Sequence, residues 1–135
     1  MAGNTLNAYQ SDAATRGYCG KLAGTYNSTA VLPVSTLSDD GTTASADANI
    51  GIYIRDYDAG DVATLQIDGV CDFAIAGGVI APGVLCTTSA AGKVVAAASG
   101  DRAFLRMLSG KSSTGATADG AECRVLILPT PIDIA

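Results

Sequence analysis

Along most of this 135-residue chain, apolar side chains come in short runs that alternate with small or polar residues and stop at glycine, proline or Asp-Gly. The clearest case is Val62, Leu65 and Ile67, then Asp68-Gly69, then Val70, Phe73 and Ile75. Two β-rich runs around Asp-Gly predict a hairpin with a type I′ turn, because both central positions of that turn need positive φ. Upstream, Ile50, Ile52 and Ile54 alternate with Gly51 and Tyr53, a clean period of two that predicts a strand. Ala30–Val34 predicts a further short strand, with Pro33 confining it to an edge or an end. The stretch from Ser38 to Asn49 is polar and reads as a loop, and Arg55–Asp61 as an acidic turn.

Downstream the same rhythm continues. Pro82-Gly83 suits the centre of a type II turn, between Val79-Ile80 and Val84–Cys86. Gly92 marks the next turn, Lys93–Ala98 the next strand, and Ser99–Asp101 another turn. Arg102–Leu108 predicts a strand, favoured over a short helical turn because its neighbours are short and bounded by glycine, Ser109–Gly120 an exposed loop, and Glu122–Leu128 a central strand buried on both faces and ended by Pro129 and Pro131. About seven short strands at such spacing predict an all-β domain, a small barrel or sandwich whose closure protects strand edges.

The first 28 residues lack this period. Leu6, Tyr9, Tyr18, Leu22 and Tyr26 stand too far apart for a strand, among glycines that disfavour helix. Residues 1–29 are therefore expected as an extended arm that orders against a partner, with a disordered tail as the alternative. Residues 30–135 are expected to form the β-rich domain. Tyrosines on a flexible, weakly charged segment supply large contact area at modest entropy cost, so Tyr9, Tyr18 and Tyr26 become candidate partner contacts.

Composition narrows the chemistry. Glu122 is the only glutamate and only 16% of residues are charged, which favours β over helical structure. The net charge of −5 repels nucleic-acid backbone, so no direct nucleic-acid partner is expected. No run approaches the ~20 apolar residues of a membrane span, and no signal-peptide pattern opens the chain. With no histidine, a His-based triad and the usual zinc-hydrolase ligand sets are excluded. Cys19, Cys71, Cys86 and Cys123 form no CxxC pair and are expected reduced and partly buried; disulfides in a particle meeting an oxidising exterior are the alternative.

Other apparent motifs reduce to turns. Gly110-Lys111-Ser112 lacks the upstream glycine of a phosphate-binding loop, since position 105 is leucine. Asp56, Asp58 and Asp61 lack the later ligands of a calcium loop. Lys21, Lys93 and Lys111 have no sequence context that pairs them with a serine nucleophile, and Asp68 and Asp101 are accounted for by turns. No enzymatic activity, cofactor or metal is expected. Asp56, Asp58 and Arg102 remain as candidate loop contacts, with Asp101-Arg102 expected to fix its turn through a carboxylate–guanidinium contact.

The order of turns resembles one family. Asp68-Gly69-Val70, Ile80-Ala81-Pro82-Gly83-Val84-Leu85, Ala91-Gly92-Lys93-Val94, Gly100-Asp101 and Ala103, with the final strand Glu122–Leu128, follow the pattern of small capsid cement (decoration) proteins of tailed bacteriophages. More narrowly they resemble the family formerly labelled recombinase-like. Phe104 departs from it, standing where that family commonly has glycine. The resemblance covers about half the chain. It implies a non-enzymatic virion protein, made in the host cytoplasm, on the outer surface of the assembled capsid. There it would bridge major capsid protein subunits against internal DNA pressure and self-associate, with a trimer favoured. The rival expectation is a receptor- or glycan-binding domain of a head or tail fibre, using exposed Tyr53 or Tyr57 to stack on a sugar. A minor subunit of a cellular assembly is the third.

Overall fold

The computed structural model describes residues 4–29, 31–38, 49–89 and 92–135. Among these residues the structure is all-β, with ten strands in two groups that follow one another along the chain. The first group is β1 (Thr5–Gln10), β2 (Cys19–Asn27), β3 (Leu32–Leu37), β4 (Asn49–Tyr53) and β5 (Val62–Gln66). They close into a barrel in the order β1-β3-β2-β4-β5, with β5 returning antiparallel to β1 and only the β1–β3 pair parallel. The second group is β6 (Gly69–Ile75), β7 (Leu85–Thr88), β8 (Val94–Ala96), β9 (Arg102–Gly110) and β10 (Glu122–Asp133). It forms an antiparallel sheet in the order β6-β10-β9-β7-β8. A bridge from Ala76 to Val94 draws the end of β6 towards β8.

The barrel is narrow and lined by small residues. Ala8, Ala14 and Ala63 pack with Leu65 around Tyr53 and Tyr57. Gly20 makes room for the central ring: a Cβ there would lie 2.7 Å from both Tyr53 and Leu65. The Tyr53 hydroxyl is satisfied inside, donating to Gln10 Oε1 at 2.7 Å, and Ser35 Oγ donates to the same oxygen at 2.7 Å. The second core is aliphatic and sulfur-rich, with Leu105, Met107, Val125 and Ile127 packed among all four cysteines.

Three sequence expectations change. The expected arm is part of the barrel, because Thr5–Gln10 and Cys19–Asn27 are β1 and β2. Its apolar periodicity is hidden because the barrel takes small residues inward, Ala8 among them, so the pattern carries little contrast. The central hairpin does not form: β5 is flanked by β1 and β4 and offers β6 no edge. Asp68-Gly69 is instead the corner at which the chain leaves the barrel, and positive φ occurs at Gly69 (76°) but not at Asp68. There the Asp68 carboxylate accepts both the main-chain N–H and the side-chain amide of Asn4, while Gln66 Nε2 donates to the carbonyls of Asp68 and Val70.

The alternating run from Ile50 is β4, as expected. Ile52 packs into the second core and Tyr53 into the barrel, so both faces are covered. Strand β10 is central as expected but buried on one face, with Cys123, Val125 and Ile127 inward and Arg124 exposed. It also runs through its prolines, which sit where the register with β9 shifts between Ile127 and Ile132 and where the pairing with β6 has ended. Prolines there interrupt no described ladder pair. The Pro82-Gly83 turn is as expected, with Gly83 at φ 88° and Val84 N–H donating to Ala81 O. The Ser38–Asn49 loop lies largely outside the described residues.

Candidate functional site

The candidate contact residues do not form one cluster. Tyr9 lies in β1, half-buried between Val34 and Val62 of the neighbouring strands. Tyr18 packs against the barrel core, and its carbonyl accepts Tyr53 N–H at 2.9 Å. Tyr26 alone of the three stands out, at 60% exposure on β2. Asp56 is exposed but works within the fold, accepting Arg16 N–H at 2.8 Å. Asp58 donates its main-chain N–H to Asp61 Oδ2 at 2.8 Å, closing the acidic turn. Arg102 grips Asp133 with two nitrogens, at 2.6 and 3.2 Å, which ties the end of β10 to the start of β9. That contact holds the Asp133 carboxyl below its usual range. Asp101 holds its own turn by accepting Ala98 N–H at 2.8 Å.

Two residues expected to stack on a sugar are unavailable for it. Tyr53 is fully buried and Tyr57 is 9% exposed, their rings 6.1 Å apart in the barrel. The closed barrel turns both inward, a consequence of tertiary closure that a short alternating run does not reveal.

The thiols are chemically quiet. All four cysteines are free and buried. Burial pushes Cys86 up to about 12, Cys71 and Cys123 up to about 11, and Cys19 well above its ordinary value. Protonated, desolvated thiols are poor nucleophiles and poor metal ligands. Among the described residues no group of three or more Cys, Asp or Glu is placed to hold a metal ion.

What the described surface does offer is a two-stranded ribbon with exposed apolar side chains. Strand β2 pairs with β4 from Cys19 to Lys21, and β3 pairs with β1 at Val34 and Ser35. Past those points β2 and β3 continue together through Tyr26↔Pro33 and Asn27↔Leu32. Leu22, Tyr26 and Val31 on this ribbon are 38%, 60% and 67% exposed. They are three of the six large apolar residues exposed among the described residues, the others being Val62, Val79 and Ile132. Sequence reasoning singled out Tyr26 but not Val31, whose φ of 58° has no sequence signal.

A second feature missed in the sequence is the mount for Val79. Thr117 Oγ1 accepts Ile80 N–H at 2.8 Å and donates to Gly78 O, while Thr117 N–H donates to Ile80 O at 3.1 Å. These bonds hold the turn on which Val79 is 81% exposed.

No family model matches this chain, and no curated protein does. Among solved structures the chain is similar to the N base of head fiber gp8.5 of bacteriophage phi29, with a TM-score of 0.68 at 14% identity. The match covers 96% of this chain and 98% of that one. At that identity the likeness is one of fold, and it takes in both strand groups.

Proposed function

We propose that this chain is a structural protein of a phage head. It binds the outer surface of the assembled capsid, bridges neighbouring major capsid subunits and stabilises the shell against the pressure of packaged DNA. The observation that carries the reading is the end-to-end fold match to a head-fibre base, 96% of this chain against 98% of that one. The ordered turn motifs from Asp68 to Ala103 support it independently, since they resemble those of capsid cement proteins. The mechanism is repetition: modest contacts, made many times over a lattice, give high avidity and stabilise the bound, folded state by mass action. The protein acts without catalysis, cofactor, membrane or nucleic-acid contact, and its copies group together, with a trimer favoured.

The test is a cryo-EM comparison of the native particle before and after this protein is stripped. Density repeated over the head surface and lost on stripping is the expected result. Density confined to one vertex or to a tail fibre, or none on the head, overturns the capsid-binding reading.

A second reading, a receptor- or glycan-binding domain of a fibre, is favoured by one observation: the matched structure is itself a head-fibre component. Low copy number together with saturable binding to host cells or glycans would select it.

A further inference from the structure

We propose that copies of this chain meet through two unlike patches, the Val79 turn of one copy against Val62 and the acidic turn of the next. The inference deepens the structural-protein reading by naming where self-association occurs, and it rests on that reading.

The first patch is a held knob. Val79 is the most exposed large apolar residue among the described residues. Its turn is fixed by buried Thr117, which bonds to Gly78 O and to both main-chain groups of Ile80. A side chain presented on an ordered turn loses little further freedom on binding. Cations accompany it. A Cβ on Gly77 would lie 3.2 Å from Lys93 Cβ, and Arg106 Nη1 donates to Gly83 O at 2.8 Å. Lys111 is exposed at the start of the loop that carries Thr117. Asp119, 3.4 Å from Lys93 Nζ, is the one carboxylate in these two loops.

The second patch is its electrical opposite. Val62 is exposed at the start of β5 and pairs in register with half-buried Tyr9. Beside it, Asp58 and Asp61 are exposed on the turn that their own hydrogen bond closes. From Arg55 to Asp61 that turn carries three carboxylates against one guanidinium.

Charge selects the occupant. Residues 1–68 hold eight acids and three bases, and residues 69–135 hold five of each. The net charge of −5 therefore lies wholly in the first part. Two copies meeting acidic turn to acidic turn repel, because like charges brought together across an interface are costly. With the knob against the acidic turn, Val79 meets the Tyr9–Val62 pair, and Lys93 and Lys111 come beside Asp58 and Asp61. The chain itself supplies the carboxylates and the apolar surface that the knob calls for.

The experiment is sedimentation velocity of the full chain across a dilution series, at low and high salt, with no capsid present. Wild type is expected to associate reversibly and to dissociate as salt rises, since exposed charge pairs are screened. Lys111→Glu and Asp58→Lys should each weaken association by roughly tenfold, an attractive exposed pair having become a repulsive one. The chain carrying both substitutions should recover, because opposite charges face each other again. Val79→Lys should also weaken association. All four variants should melt like wild type, since every substituted side chain is exposed. A wild type that stays monomeric, association that ignores salt, or a double variant as weak as its parents overturns the proposal. Binding to stripped heads tests the capsid reading separately. A monomeric chain that still decorates heads removes this inference alone, and charge-dependent association without head binding removes the capsid reading alone.

Discussion

The main-chain N–H of Cys19 donates to the carbonyl of Gly92 at 2.8 Å, joining the start of β2 in the barrel wall to the turn before β8. Around that bond lies the seam between the two strand groups. Ile75 N–H donates to Gly17 O at 3.0 Å, and Gly17 N–H to Tyr53 O at 2.8 Å. The side chains of Cys19 and Ile52, from barrel strands, complete the core of the second sheet. Buried on both sides, this seam makes one molecule of the two groups.

Gly17 is the most tightly enclosed point of the seam. Its φ is 88°, and a Cβ there would lie 2.1 Å from Phe73 O. Gly100 has the same φ of 88° with nothing within 4 Å of a Cβ. Gly100→Ala is expected to cost about 1–2 kcal/mol, the backbone term alone. Gly17→Ala should cost at least about 2 kcal/mol more, because main chain must move apart. Urea unfolding of both variants separates the terms, and equal costs would mean that the seam yields freely.

Arg16 crosses the same seam from outside. Its guanidinium lies 4.4 Å from the Phe73 ring centre, and Nη1 donates to Glu122 Oε2 at 2.8 Å. Both charged side chains are nearly half exposed, so Glu122→Gln should cost at most about 1 kcal/mol. Arg16→Gln loses the ring contact as well and should cost about 1–2 kcal/mol. Denaturant midpoints in low and high salt check this: only the ion-pair part should fade with salt.

Two buried threonines should respond with opposite signs. The Thr87 hydroxyl is buried without a hydrogen-bond partner among the described residues, so Thr87→Val should be neutral or stabilise by about 1 kcal/mol. Thr117→Val strands the N–H of Ile80 and should destabilise by about 1–3 kcal/mol. Thermal unfolding of the pair is a direct comparison, and matching signs would contradict it.

Alkaline pH should unfold the protein cooperatively. Burial raises Tyr53 from 10.0 to about 12, Cys86 from 9.0 to about 12, and Cys71 and Cys123 from 9.0 to about 11. In that window the folded state holds more protons than the unfolded chain, so stability falls as pH rises. The contribution is intact below pH 9 and is progressively lost between 9 and about 12. Melting temperature against pH should therefore decline through this range, and Tyr53→Phe should lessen the decline above pH 10. A flat profile would mean that these groups titrate alike in the folded and unfolded chain.

Much of the β architecture was legible. Pro82-Gly83 and Gly100-Asp101 were read as turns because glycine and proline act through local backbone geometry, which neighbours rarely override. The Arg102–Leu108 strand was read from its bounding turns, and the structure extends it to Gly110. The candidate contacts were harder to read. Tyr9 and Tyr26 are both tyrosines in low-charge surroundings, yet one is half-buried between strands and the other is exposed on β2. That difference depends on where β1 and β4 stop, which nothing local to either tyrosine encodes.

Local stereochemistry and composition thus determined, from the sequence alone, the all-β class, several turns and the lack of histidine chemistry. Tertiary structure alone decided which edges were free. It turned Asp68-Gly69 from a hairpin into a corner because both sides of β5 were occupied. It drew residues 5–27 into a barrel whose small interior asks for alanine and glycine rather than a strong apolar alternation. It also buried Tyr53 and Tyr57 while leaving Tyr26 and Val31 in solvent. Edge pairing and closure join residues far apart in the chain, so their energies depend on partners that no single segment contains.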